Sequence, residues 1–290
     1  MTNQNFAALC LTLLLSIPAF AEPPYTPIYD GPAPYSRSPQ DVPHVLEFIP
    51  PKGAAPTAAI LFCPGGGYGG LAMQHEGTNE GAWLQAHGIA AFVLAYRMPA
   101  GRYQVPLSDA QRAMRWVRSK AGEFNVDPNK IGVIGFSAGG HLASTLETHF
   151  DAGNPSAPDP IDRVSCRPDF AILVYPVITM KAGETHQGSK DNLLGPNPDP
   201  ALVANFSNET QVTAQTPPTI LFHAADDNTV PIQNSRDMYD ALQKAGVPSE
   251  FHQYAHGGHG FGFGASPDYS PRGWFDVTLY GWLKTQNIIK

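Results

Sequence analysis

Ile131-Gly132-Val133-Ile134-Gly135-Phe136-Ser137-Ala138-Gly139-Gly140-His141 is the stretch from which the fold is read. β-Branched residues and glycines run into Gly135-Phe136-Ser137-Ala138-Gly139, a G-x-S-x-G sequence. His141-Leu142-Ala143-Ser144-Thr145-Leu146 follows with helical character. The short motif acquires meaning between a strand and a helix, because a sharp turn there presents the serine on a strained backbone. Small residues on either side let strand and helix pass close together. The bland alternative is a glycine-rich turn whose serine only caps the helix. A serine hydroxyl is a weak nucleophile at neutral pH. It needs a histidine to take its proton and a carboxylate to orient that histidine.

Outward from this stretch, apolar strand runs alternate with helices. Upstream lie strand runs at Val45–Ile49, Ala58–Cys63 and Ile89–Tyr96, with a helix over Glu80–His87 that stops at Gly88. Ser108-Asp109-Ala110-Gln111 matches a capping box. Ala110, Ala113, Met114, Val117 and Ala121 then follow at helical spacing as far as Gly122,. Asp127-Pro128-Asn129 reads as a turn. Downstream lie strands at Phe170–Tyr175, Thr219–His223 and Glu250–Tyr254, and helices at Ile232–Ala245 and Trp274–Lys284. This alternation predicts an α/β fold: a mostly parallel central sheet with helices on both faces. The polar, Pro/Gly-rich section 176–218 lies between two strands and is expected to shape a substrate site at their carboxyl ends.

The chain supplies partners for the serine in a workable order. Asp226 and Asp227 lie just past one strand, and His256 and His259 just past the next. Spacing alone does not choose within either pair. The backbone N–H after the serine, on Ala138, is one donor for a developing oxyanion. Pro64-Gly65-Gly66-Gly67 is a glycine-rich early loop suited to supply others, from Gly66 and Gly67. No G-K-[ST] follows it, so a phosphate cradle is disfavoured. His75-Glu76 lacks a second histidine four residues on, and no C-x-x-C occurs, so no metal or other cofactor is expected,. His141 is expected to pack beneath the turn.

The chain has 290 residues, 42% apolar and 15% charged, which suits one large domain,. A net charge of -7 with no basic run argues against nucleic acid and against an anionic membrane surface,. Residues 1–21 read as a secretory signal ending in Ala19-Phe20-Ala21, although Met1–Asn5 carries no Lys or Arg,. The expected product is a single domain over 22–290, secreted or periplasmic and free of the membrane after cleavage. Cys63 and Cys166 fall at opposite edges of a parallel sheet, so two free buried thiols are expected rather than a disulfide.

Together these residues resemble the α/β-hydrolase superfamily from about Val42 to Lys284. Within it they resemble secreted bacterial esterases related to acetyl xylan esterases, feruloyl esterases and hormone-sensitive-lipase-like enzymes. The most specific pieces are Cys63-Pro64-Gly65-Gly66-Gly67-Tyr68, Gly135–His141, the Asp227 loop with Val230-Pro231, and Gly257-Gly258-His259-Gly260-Phe261. In such families the acid precedes a Val-Pro pair by this distance and the base follows Gly-Gly. The resemblance therefore implies Ser137, Asp227 and His259 as the triad. Pro64 stands where many lipase-like relatives carry histidine. The expected activity is that of a serine carboxylesterase taking a small-molecule or polysaccharide ester, with acetyl on carbohydrate the leading expectation. Tyr68, Phe136, Phe261 and Phe263 are candidates to wall a small acyl pocket or stack on a sugar ring, with packing alone the commoner fate of such residues. A prolyl-oligopeptidase-like peptidase, a lipase-like esterase and a relative labelled as a xylanase are the alternatives. The last is disfavoured because glycosidases need two carboxylates facing across a sugar.

Overall fold

The computed structural model describes residues 24–263, 271 and 273–290; the signal expected over residues 1–21 lies outside them. Among the described residues eight strands form one sheet: β1 (Tyr25–Pro27), β2 (His44–Phe48), β3 (Thr57–Cys63), β4 (Ala90–Ala95), β5 (Val126–Phe136), β6 (Ala171–Val174), β7 (Thr219–Ala224) and β8 (Ser249–Tyr254). Their spatial order is β1-β2-β4-β3-β5-β6-β7-β8. β2 pairs antiparallel with both β1 and β4, and the pairings from β4 through β8 are parallel. The helices are α1 (Asn79–Ala86), α2 (Gln104–Ser119), α3 (Ala121–Phe124), α4 (Ser137–Thr148), α5 (Gln187–Leu194), α6 (Pro200–Asn205), α7 (Gln233–Lys244) and α8 (Tyr280–Thr285). The α/β-hydrolase architecture expected from the sequence is the one observed. Among the described residues no helix is long and apolar enough to cross a membrane.

Strand alternation explains why both sheet faces are covered. Ala59, Leu61 and Cys63 of β3 join one core with Met114 and Val117 of α2, Leu142 and Leu146 of α4, and Met238 and Leu242 of α7. Ala58, Ile60 and Phe62 join the other, with Leu84 of α1 and Trp282 and Leu283 of α8. Successive side chains point to opposite faces, so a continuous apolar run means burial on both. Cys63 and Cys166 are free and buried, as expected.

Four local expectations need correction. The helix expected to start at Ser108 begins at Gln104, with Pro106 tolerated in its first turn,. Ser108 donates to the Val105 carbonyl, and the Gln111 amide reaches the His149 carbonyl instead of closing a capping box. Asp109 is occupied elsewhere, as the buried partner of Arg97 at 2.6 Å. Gly122 does not end the helix; it lies inside the short α3. Asp127-Pro128-Asn129 is an Asx turn that bulges out of β5, so that pairing with β3 skips from Val126 to Ile131,. The helix expected from Trp274 begins as a π-helical turn over Trp274–Leu279 before α8. Section 176–218 contains α5 and α6.

Candidate active site

Ser137 stands between β5 and α4 with a φ of +52°. A non-glycine residue in that region costs on the order of 1–3 kcal/mol, so the surrounding structure must impose it. The glycines show how. A Cβ on Gly139 would come within 2.0 Å of the Cys63 carbonyl oxygen, and one on Gly135 within 2.2 Å of that of Gly139. Only bare backbone lets α4 start so close to the ends of β3 and β5.

His259 closes on this serine from the loop after β8. Its Nε2 lies 2.9 Å from Ser137 Oγ and its Nδ1 2.7 Å from Asp227 Oδ2. A carboxylate only accepts, so Nδ1–H donates to Asp227 and Nε2 accepts the serine proton. The remaining Asp227 oxygen accepts from the N–H groups of Thr229 and Val230, at 2.8 and 2.9 Å. His223, unremarked in the sequence, lies 3.1 Å from both Asp227 Oδ2 and the Val230 carbonyl. A carbonyl cannot donate, so His223 Nε2 carries a proton and adds a bond to Asp227. Burial alone would raise the Asp227 carboxyl, but the bonds from His223 and His259 hold it well below the usual carboxylate range,. Asp226 points away and accepts from the Gly258 N–H at 2.8 Å, which anchors the His259 loop from outside. His256 is exposed and lies 3.5 Å from Asp226.

The glycine-rich loop after β3 faces the same serine. Gly66 and Gly67 have φ values of +129° and +64°, which a β-carbon would strain,. Among the described residues their N–H groups donate to no protein acceptor. Ala138 lies in the first turn of α4, whose N–H groups have no partner within the helix,. Tyr68, next along, is buried and donates its hydroxyl to His141 Nδ1 at 2.8 Å. His141 in turn donates from Nε2 to the Phe206 carbonyl at 2.8 Å. Burial pushes its pKa down to about 4, so it is a neutral strut beneath the elbow, as expected.

Two further residues escaped the sequence reading, as did the contact made by a third, Asn192 of the polar section 176–218. Glu76 is buried and accepts from the Gly65 N–H at 2.7 Å and the Tyr175 hydroxyl at 2.9 Å. The Tyr175 ring lies edge-on to His259, with centroids 4.9 Å apart. Asn192 of α5 donates to the Gly67 carbonyl at 2.8 Å, so section 176–218 grips the glycine loop directly. The aromatic wall needs correction: Tyr68, Phe136 and Phe261 are buried packing residues, and Phe263 packs on Phe275.

The signature of the family described as BD-FAE matches residues 47–242. An acetylxylan esterase of Xylanibacter ruminicola is 38% identical over 231 residues, which are 78% of this chain and 45% of that protein. An endo-1,4-beta-xylanase B of Butyrivibrio fibrisolvens is 38% identical over 69% of this chain and 32% of its own length. The chain thus spans less than half the length of these two curated relatives. A solved structure, the acetyl ester-xyloside bifunctional hydrolase of Caldicellulosiruptor lactoaceticus, superposes with a TM-score of 0.88 at 43% identity, covering 93% of this chain and 98% of that one. With a signature over more than half its residues and a solved relative matched almost end to end, the chain belongs to the BD-FAE family of α/β-hydrolases.

Proposed function

We propose that this chain is a serine carboxylesterase that removes short acyl groups, acetyl foremost, from carbohydrate outside the cytoplasm. The observation that carries the reading is the continuous chain Ser137–His259–Asp227, with contacts of 2.9 and 2.7 Å. Ser137 Oγ attacks the ester carbonyl carbon while His259 Nε2 takes the hydroxyl proton. The N–H groups of Gly66, Gly67 and Ala138 receive the negative oxygen. As the tetrahedral species collapses, the C–O bond to the alcohol breaks and His259 returns the proton to the leaving oxygen. Water then attacks the acyl-serine by the same route, releasing the acid and restoring Ser137. Asp227 keeps the imidazole in the tautomer that this cycle needs.

The acetyl and carbohydrate parts draw support from the two relatives whose names carry acetyl esters and xylan or xyloside. Polar residues of section 176–218, among them His186 and Asn192, border the glycine loop, which suits a hydroxylated alcohol better than fat. The signal-like segment 1–21 supports the location. Glycosidase chemistry draws no support from Asp227, whose oxygens are committed to four protein donors,. The test compares acetate release from acetylated xylan with hydrolysis of aryl acetate and aryl octanoate. Acetate freed from the polymer and faster cleavage of the acetate ester are expected. Octanoate favoured, with no acetate freed from any sugar, would make the enzyme lipase-like.

A further inference from the structure

We infer that Glu76 is a positioning residue that ties the loop proposed to bind the oxyanion to the loop that carries His259, and so sets their separation for turnover. The inference rests on the serine-hydrolase reading of the site. Four contacts build the tie. Gly65 N–H donates to Glu76 Oε2 at 2.7 Å, and the Tyr175 hydroxyl donates to Glu76 Oε1 at 2.9 Å. Gly262 N–H donates to the Tyr175 oxygen at 3.1 Å, and the Gly262 carbonyl accepts from the Trp274 indole at 2.7 Å. Gly65 and Gly262 belong to opposite walls of the site: one begins the glycine loop, the other lies three residues past His259. Glu76 holds the first wall and Tyr175 the second, and the hydrogen bond between these two buried side chains joins them.

The fit is tight enough to transmit a displacement. A Cβ on Gly65 would meet Glu76 Oε2 at 2.6 Å, the Phe136 carbonyl at 2.8 Å and Ser137 Cβ at 2.9 Å. One on Gly262 would meet the His75 carbonyl at 2.3 Å, one residue from Glu76. Because Tyr175 also lies edge-on to His259, its hydroxyl bond to Glu76 fixes the ring against which the base leans. Glu76→Gln keeps the volume but replaces one acceptor oxygen with a donor. If its oxygen serves Gly65, the Tyr175 hydroxyl faces an N–H and loses its acceptor.

The experiment measures kcat and KM for aryl acetate, thermal midpoint, and the rate at which paraoxon phosphorylates Ser137, in wild type, Glu76→Gln, Tyr175→Phe and the double variant. Losing a buried bond to a charged acceptor corresponds to about 10–100-fold in rate. The expected result is that loss in kcat and in phosphorylation rate for Glu76→Gln, with KM changed less than about threefold. Tyr175→Phe should lose about as much, and the double variant much less than the product of the two losses. Either single variant folded with kcat and phosphorylation rate at wild-type level overturns the inference, as do losses that multiply. If Glu76→Gln fails to fold, Tyr175→Phe decides alone, by loss or no loss in both rates. Phosphorylation without aryl acetate turnover by wild type would instead overturn the esterase reading, while the labelling rates still decide the role of Glu76.

Discussion

The nucleophile elbow and section 176–218 meet at the same site but are specified in opposite ways. The elbow is written in adjacent residues: Gly135 and Gly139 are bare because Cβ atoms there would overlap backbone at 2.2 and 2.0 Å. Section 176–218 is held by partners far along the chain. Asn192 reaches Gly67, the Phe206 carbonyl accepts a hydrogen bond from His141 Nε2–H, and Asn208 reaches the His141 carbonyl and Ser144. Asn234 of α7 accepts from the N–H groups of Ile178 and Thr179. A site can therefore combine a serine turn set largely by neighbouring residues with a rim tied down by partners far along the chain.

The sharpest probe of this contrast is a pair of neighbours. Asp226 and Asp227 are indistinguishable by local sequence, yet one is exposed and the other faces His259 and His223. Asp227→Asn is expected to lower kcat by roughly a thousandfold or more, because the amide favours the wrong imidazole tautomer. Asp226→Asn keeps an acceptor for Gly258 and is expected to cost less than about threefold. Steady-state kinetics on both variants check the ranking, and the reverse ranking moves the acid to Asp226.

A methyl group tests the elbow itself. Gly139→Ala forces α4 away from Cys63 and Pro64, and is expected to destabilise the protein by about 1–3 kcal/mol or more. Urea unfolding measures it. A stability within error of wild type would mean that close approach does not shape the turn.

Glu147 on the back of α4 gives a pH-dependent reading. It is fully buried, and burial pushes its pKa up to about 8 despite the hydrogen bond from Thr219. The folded state thus holds a proton that the unfolded chain releases near 4.5, the ordinary glutamate value. Stability from this group is fully present below that value and is lost as pH rises to about 8,. Glu147→Gln is expected to melt about 3–8 °C above wild type at alkaline pH and nearly level with it at acidic pH. Equal melting at both would place the carboxyl in a wetter setting.

The smallest effect belongs to the rim. Asn192→Ala removes one bond to the Gly67 carbonyl and is expected to lower kcat about three- to tenfold while the thermal midpoint stays put. A matching fall in melting temperature would make α5 a structural brace instead.

These contrasts explain what was legible. The sheet, α1, α7 and the elbow could be read because apolar periodicity and glycine placement are local signals. α2 was misread at its start because Ser108-Asp109-Ala110-Gln111 has a cap's composition, while tertiary bonds to Arg97 and His149 claim Asp109 and Gln111. Asp227 and His259 were separated from their neighbours by resemblance, and their hydrogen bonds give the physical reason. His223, Glu76, Tyr175 and the contact of Asn192 were missed because the partners lie 4, 11, 99 and 125 residues away, at no spacing that marks them. The sequence left the aromatic residues between packing and pocket lining because the two look alike in a sequence.

The most direct measurement is acid-quenched peptide mapping of the enzyme during turnover of an aryl acetate, beside Ser137→Ala. An acetyl group carried on Ser137 of the wild type, with none on the variant and acetate release down by several orders of magnitude, is the expected result. An acetyl group found on another residue, or a folded Ser137→Ala that keeps more than about a tenth of wild-type turnover, would contradict the assignment of Ser137 as nucleophile.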